Sequence, residues 1–266
     1  MATKQELDVT IKDLLEAGAH FGHKKARWNP KMKRFIFEER SGILIIDLAK
    51  TMQQIREAIE IVQDAITQHK SILFVGTKKQ AKTAIRESAE GCGEFYICER
   101  WLGGTLTNLS TIRKSVKTLE KIEKRIGVGK EGLTKKEFSE LAKEQQKLNK
   151  NLSGIRNMRK PPGLLIVVDP TQEHIAVAEA KILNIPVMAL VDTNCDPDPI
   201  DHIIACNDDA LKSIKLILNA LTNAIIDKKK ELKISISKEG KSLKRSKDEE
   251  EEIDFSDEEI KGEGEE

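Results

Sequence analysis

Six short runs of β-branched and aliphatic residues punctuate the chain, at 43–46, 72–75, 95–97, 164–168, 187–191 and 203–205. Most are continuous rather than alternating, the pattern of strands covered on both faces. Helical periodicity fills most of the intervals, at 48–68, 78–90, 172–183 and 208–228. Strand and helix in alternation predict an α/β fold with a parallel, doubly wound sheet and right-handed crossovers. The junctions agree. Val75-Gly-Thr77 and Val168-Asp-Pro-Thr171 supply turn and N-cap residues, and Asp208 is placed to cap the last helix.

One long interval carries no strand pattern. Between Thr105 and Arg159, apolar residues fall at Leu109, Ile112, Val116, Leu119, Ile122 and Ile126, then at Phe138, Leu141, Leu148 and Leu152, with Gln145 as a polar exception. Steps of three and four make two heptad-like seams. A glycine-rich stretch, 127–132, separates them, and Thr134-x-x-Glu137 opens the second as a capping box. The segment 105–159 is therefore expected to be an inserted antiparallel coiled-coil hairpin. The sheet domain would comprise 1–104 and 160–230.

Charge changes the picture in two ways. The formal net charge is only +1. However, residues 248–266 hold twelve Asp/Glu against one Lys, which leaves 44 basic and 32 acidic residues in 1–247. Like-charge blocks with little to bury stay unfolded, so 231–266 is expected to be a disordered acidic tail on a basic body. A basic body is the footprint of a polyanion binder. Its densest part is 21–37, where Lys24, Lys25, Arg27, Lys31, Lys33 and Arg34 interleave with Phe21, Trp28, Phe35 and Phe37. Cations displace counterions from phosphates while rings stack on bases or sugars, so this segment is the first candidate RNA contact. Phe35 and Phe37 could also turn inward as a strand edge. Both hairpin faces are basic too, with six cations to two carboxylates over 113–126 and eight to three over 135–160. Arg113, Arg156 and Arg159 are second-site candidates, joined by Arg100 and by Lys78 and Lys79 at a helix start.

Other chemistry is thin. Gly76-Thr-Lys-Lys-Gln-Ala81-Lys82-Thr83 matches a phosphate-binding P-loop except that Ala81 stands for the second glycine, which would bring backbone amides around phosphate. The alternative reading, a nucleotide enzyme on the same sheet, is disfavoured by that replacement and by the lack of a clear magnesium-holding partner. The acidic loop 192–201, with Asp208 beyond it, could hold a weakly bound cation such as magnesium at Asp192, Asp196 and Asp208, although turn formation by Asp and Pro is the better explanation. His20-Phe-Gly-His23 lacks a metalloprotease pattern, and no serine or cysteine sits in a nucleophile motif. Cys92, Cys98, Cys195 and Cys206 show no CxxC pairing, as expected of buried thiols in the cytosol. No apolar run approaches a membrane span, and the N-terminus lacks the series of a signal peptide. No catalytic residue, resident cofactor or membrane contact is expected.

Several strings resemble one family closely. They are Leu14-Leu-Glu-Ala-Gly-Ala-His20-Phe-Gly-His23, Trp28-Asn-Pro30-Lys-Met-Lys, Phe74-Val-Gly-Thr-Lys-Lys-Gln80, Arg100-Trp-Leu-Gly-Gly-Thr-Leu-Thr-Asn108, Pro162-Gly-Leu-Leu-Ile-Val-Val-Asp169, Asp192-Thr-Asn-Cys-Asp-Pro and Asn207-Asp-Asp-Ala210. In this order, over roughly the first 230 residues, the chain resembles the bacterial family of small ribosomal subunit protein S-two. The resemblance departs at 202–206 and in the acidic tail. It implies a flavodoxin-like sheet domain with a protruding coiled-coil hairpin, and a structural rather than enzymatic role in the cytoplasm. Its partners would be small-subunit ribosomal RNA, bound between head and body, and neighbouring proteins, including the large one that captures messenger RNA.

Overall fold

A computed structural model describes residues 9–127 and 134–258, with side chains to residue 234. The chain divides into two compact units, Met1–Ile225 and Ile226–Glu266.

In the first unit, five strands form a parallel sheet: β4 (Ile72–Val75), β5 (Phe95–Ile97), β6 (Leu164–Val168), β7 (Val187–Val191) and β8 (His202–Ala205). Their order across the sheet is β5-β4-β6-β7-β8. Numbered within the sheet alone, that is 2-1-3-4-5, the flavodoxin-like order, with its switch point between β4 and β6. All of β4, β6 and β7 is buried, which explains why their sequences are continuous rather than alternating. Helices α3 (Lys82–Cys92) and α6 (His174–Ile182) make crossovers. The β7–β8 connection has no helix and is made by loop 192–201, where Asp201 accepts a hydrogen bond from the Val187 N–H at 2.8 Å.

The run at 43–46 does not join this sheet. It is β3 (Ile43–Ile46), the centre of an antiparallel three-stranded sheet between β1 (Phe21–Lys24) and β2 (Ile36–Arg40). Only Leu44 and Ile46 are buried, so one face of β3 packs inward. Helix α1 (Ile11–Glu16) precedes this sheet and α2 (Leu48–Thr67) follows it. From α2, Gln54 accepts from the Ala205 N–H at 2.9 Å and Thr51 donates to the Ala205 carbonyl at 2.6 Å. These contacts occupy polar groups on β8, an edge strand.

Helices α4 (Leu109–Gly127) and α5 (Lys135–Leu152) lie in the β5–β6 crossover and pack on each other. Thr134 and Glu137 form the expected capping box. Ile112, Val116, Leu119 and Ile122 are buried on α4, facing a half-buried α5 row of Phe138, Leu141, Gln145 and Leu148 that ends at buried Leu152. Ile112, Val116 and Leu152 also belong to the core cluster containing Leu73 and Val167, so the base of the helix pair is continuous with the sheet core. Gly154 then passes β5 so closely that a Cβ there would lie 2.1 Å from the Tyr96 carbonyl oxygen.

The last helix, α7 (Leu211–Glu258), starts in the body with Ile214, Ile217, Leu218, Leu221 and Ile225 buried. Residues expected to be disordered from 231 carry helical backbone as far as Glu258, and 259–266 lie outside the described residues. Lys and Glu, abundant there, are strong helix formers.

Candidate nucleic-acid interface

The crevice at the switch point is where an open α/β sheet places a ligand. Here side chains of the chain itself fill it. Lys78, after β4, donates to Asp208 Oδ1 at 2.6 Å and lies 2.5 Å from Asp209 Oδ1 and 3.4 Å from Asp169 Oδ2. Its side chain is only 11% exposed. Burial works against its charge, but hydrogen bonds to Asp208 and Asp209 and the fields of Asp208 and Asp169 hold its pKa above the ordinary lysine value. Lys78, a candidate phosphate contact by sequence, is thus an internal counterion. The loop around it is closed as well, since the Ala81 and Lys82 N–H groups both bond back to the Lys78 carbonyl, at 2.8 and 3.1 Å. Ala81 is buried in this turn. Glu173 completes the loop by accepting from the Thr77 N–H and hydroxyl at 2.8 and 2.5 Å.

The acidic loop divides rather than clusters. Asp196 is on the outside, where Lys31 bonds both its oxygens at 3.1 Å and also bonds Asp198. Asp192 and Asp208 turn inward, each 1% exposed. The three carboxylates considered for an ion therefore do not converge. Asp208 does not cap α7 either. Asn207 Oδ1 accepts from the Asp209 and Ala210 N–H groups at 2.9 and 3.2 Å, leaving the Asp208 carboxylate to the interior. Burial, then the charges of Asp169 and Asp192, push the Asp208 carboxyl up to about 7, with Lys78 pulling the other way.

Thr193 fastens the basic-aromatic segment onto this loop. Its hydroxyl accepts from the His23 N–H at 2.9 Å and its carbonyl accepts from the Asn29 N–H at 2.8 Å. Gly22 is required beneath it, because a Cβ would meet Thr193 at 2.6 Å. Held in this way, the segment presents Lys24, Lys25, Arg27, Lys31, Lys33 and Arg34 at the surface. Two are not unopposed: Lys25 pairs with Glu39 at 2.5 Å, and Lys31 is shared by Asp196 and Asp198. Phe35 is buried, with the Arg34 guanidinium 4.7 Å above its ring. Trp28 is half-buried, while Phe37 is 71% and Phe21 48% exposed. The rings open to a base are therefore Phe37 and Phe21, and Phe37 does not turn inward.

A second basic surface lies along α4, where Arg113, Lys117, Arg156, Arg159, Glu120 and Asn157 line a groove. Arg113 and Arg159 are exposed. Arg156 is partly neutralised, its guanidinium forked onto Glu123 and 4.0 Å from Glu120. Arg100 and Lys79 are exposed. Arg100 begins a loop held by one buried carboxylate that the sequence does not single out. Glu179 Oε1 accepts from Trp101 Nε1 at 3.0 Å and the Gly104 N–H at 2.8 Å. Its Oε2 accepts from the N–H groups of Leu106 and Thr107 at 2.9 and 3.0 Å and from the Thr107 hydroxyl at 3.0 Å. Burial opposes the charge, yet these donors outweigh it and hold the carboxyl below the ordinary glutamate range.

A doubly wound α/β scaffold whose switch-point crevice is filled by its own ion pairs, with other cations exposed at the surface, is the class of protein the fold defines. Residues 14–228 match the family of Ribosomal protein S2. The small ribosomal subunit protein uS2 of Protochlamydia amoebophila is 74% identical over 235 residues, covering 88% of this chain and 86% of the relative. Its counterpart from Chlamydia pneumoniae is 62% identical over 239 residues, covering 90% of this chain and 86% of the relative. The chain belongs to the ribosomal protein S2 family, a family of structural ribosomal proteins and not of enzymes.

Proposed function

We propose that this chain binds ribosomal RNA in the cytoplasmic small ribosomal subunit, between head and body, through two basic surfaces. One is the 24–34 segment with Phe37 and Phe21 beside it, and the other is the groove of Arg113, Lys117 and Arg159. The observation that carries the reading is the contrast in how cations are used. Lys78 is spent internally, whereas Lys24, Arg27, Lys33, Arg113 and Arg159 are exposed and have no carboxylate partner within 4.0 Å among the described residues. Exposed, unpaired cations give the counterion-release term that dominates RNA affinity. The projecting α4–α5 pair acts as a short antiparallel coiled coil that carries the second surface. Docked in this way, the protein supports recruitment of the large ribosomal protein that captures messenger RNA. Magnesium ions carried by the RNA can join these contacts.

The test is a salt series of small-subunit incorporation with Arg27→Glu/Lys33→Glu and with Arg113→Glu/Arg159→Glu. Each lost phosphate contact is expected to reduce the magnitude of the salt slope by about 0.7–0.9. Wild-type slopes in both double variants would refute RNA binding through these surfaces.

A further inference from the structure

We infer that the cleft between α2 and the outer edge of β8 is a pocket for one unstacked, amino-bearing nucleobase of the bound RNA, adenine or cytosine. The inference deepens the RNA-binding reading and rests on it. The cleft has a volume of about 240 Å³ and adjoins the basic-aromatic segment, since Arg34 and Phe35 line it. That is smaller than the roughly 300–1,000 Å³ of sites for drug-sized ligands, which suits one flat base better than a whole nucleotide. Its walls are pinned before any ligand arrives. Lys50 of α2 donates to the Arg34 carbonyl at 2.7 Å, and the Asp47 N–H donates to the Phe35 carbonyl at 2.9 Å.

The backbone of β8 offers what a base edge needs. Past its end the Cys206 N–H faces β7, donating to the Val191 carbonyl at 3.0 Å, whereas the Ala205 N–H and C=O face outward to Gln54 and Thr51 of α2. By the alternation of a parallel ladder, in the register that pairs Ile203 with Ala189, the Ile203 N–H and C=O face outward as well. The capping from α2 stops at Ala205, and no side chain among the described residues bonds to Ile203, which is half-buried. An N–H beside a C=O complements a base edge with a ring nitrogen next to an exocyclic amino group, as in adenine and cytosine. An added peptide strand fits less well, because α2 already covers the next outward residue and leaves one residue of edge. Ala58, Ile61 and Ile203 supply apolar lining, and the Arg34 guanidinium, 4.7 Å over the Phe35 ring, is a plane on which a base stacks. Glu57 and Asp201 outnumber Arg34 among the ionised groups of the lining, so a phosphate is repelled there while a base amino group is accepted.

The experiment uses the full chain and a short RNA whose residues are all abasic except one, compared with the fully abasic RNA by fluorescence anisotropy over a salt series. A single adenine or cytosine is expected to tighten binding about tenfold at every salt concentration, and a uracil less, because stacking and base-edge bonds release no counterions. Ile203→Pro removes the outward N–H without touching the β7 ladder, a place where an edge strand accepts proline. Ile61→Trp fills the cleft from a half-buried position on α2 and decides the matter if the proline variant does not fold. Both are expected to lose the gain from the base. Salt-dependent binding of the abasic RNA with no gain from any base would overturn the pocket and leave the backbone contacts standing, whereas no binding of either RNA would remove both. A gain that persists undiminished in both variants would put the base on Phe37 or Phe21 and also overturn the pocket.

Discussion

Replacing Glu179 tests whether one buried carboxylate builds the 100–108 loop. Its two oxygens receive five hydrogen bonds from Trp101, Gly104, Leu106 and Thr107. In Glu179→Ala the Leu106 N–H and the Trp101 indole are stranded in residues 2% and 7% exposed. Each buried orphan donor costs about 1–3 kcal/mol, whereas the donors nearer solvent at Gly104 and Thr107 can find water and lose about 0.5–1.5 kcal/mol each. Allowing for loop relaxation, the expected cost is about 3–6 kcal/mol. For a body of this size that corresponds to a fall in melting temperature of about 2–4 °C per kcal/mol. Glu179→Gln keeps one acceptor but sets an amide N–H₂ against two backbone donors, so it should lose at least half as much. Urea denaturation followed by circular dichroism gives the free energy, and hydrogen exchange at Leu106 and Thr107 gives the location. The carboxyl is held below its ordinary value of 4.5, so its stabilisation is complete above that pH and is lost as pH falls through the lower folded value. The gap between wild type and Glu179→Gln should therefore close on acidification below about 4.5. A Glu179→Ala protein within about 1 kcal/mol of wild type at pH 7, with loop protection unchanged, would refute the reasoning.

Other consequences follow from the same geometry. Leu119 is fully buried on α4, so Leu119→Ala should cost about 2–5 kcal/mol. Hydrogen exchange should then rise first along α4 and α5, and uniform loss that includes β4 and β6 would mean one indivisible core. Gly154→Ala should destabilise by a further backbone shift at β5, seen as loss of protection at Tyr96 and Ile97, because the added methyl would meet the Tyr96 carbonyl at 2.1 Å. A melting temperature equal to wild type would contradict that close approach. Truncation after residue 233 should leave the melting temperature of the body unchanged, since the buried residues among those described end by Ile225. A large drop would show that the acidic segment docks on the basic body.

How far the sequence revealed this molecule depended on whether a residue's role is local. Runs such as Leu164–Val168 announce doubly covered strands because all five residues are buried. Four consecutive aliphatics at Ile43–Ile46 look identical in sequence, yet they form a half-buried strand of a different sheet, a distinction that only tertiary partners make. The exposed cations were legible as a surface. The pairing of Lys31 with Asp196 and Asp198 was not, because its partners are 165 and 167 residues away. Asp208 and Asp209 are neighbours of identical chemistry, and the position of Lys78 and the Asn207 turn buries one and half-exposes the other. Glu179 offers no motif. Its one signal is position, since it lies beside Ala176 and Ala180 on the buried face of α6, where an unpaired carboxylate could not remain.

The central claim, RNA binding through two outward basic surfaces, is tested most directly by crosslinking the protein within isolated small ribosomal subunits and sequencing the joined peptides and nucleotides. RNA-linked peptides are expected from 24–37 and from around Arg113 and Arg159, with none containing Lys78. Crosslinks confined to other faces, such as exposed Ile175 and Ile182 of α6, with both basic surfaces unmodified, would contradict it.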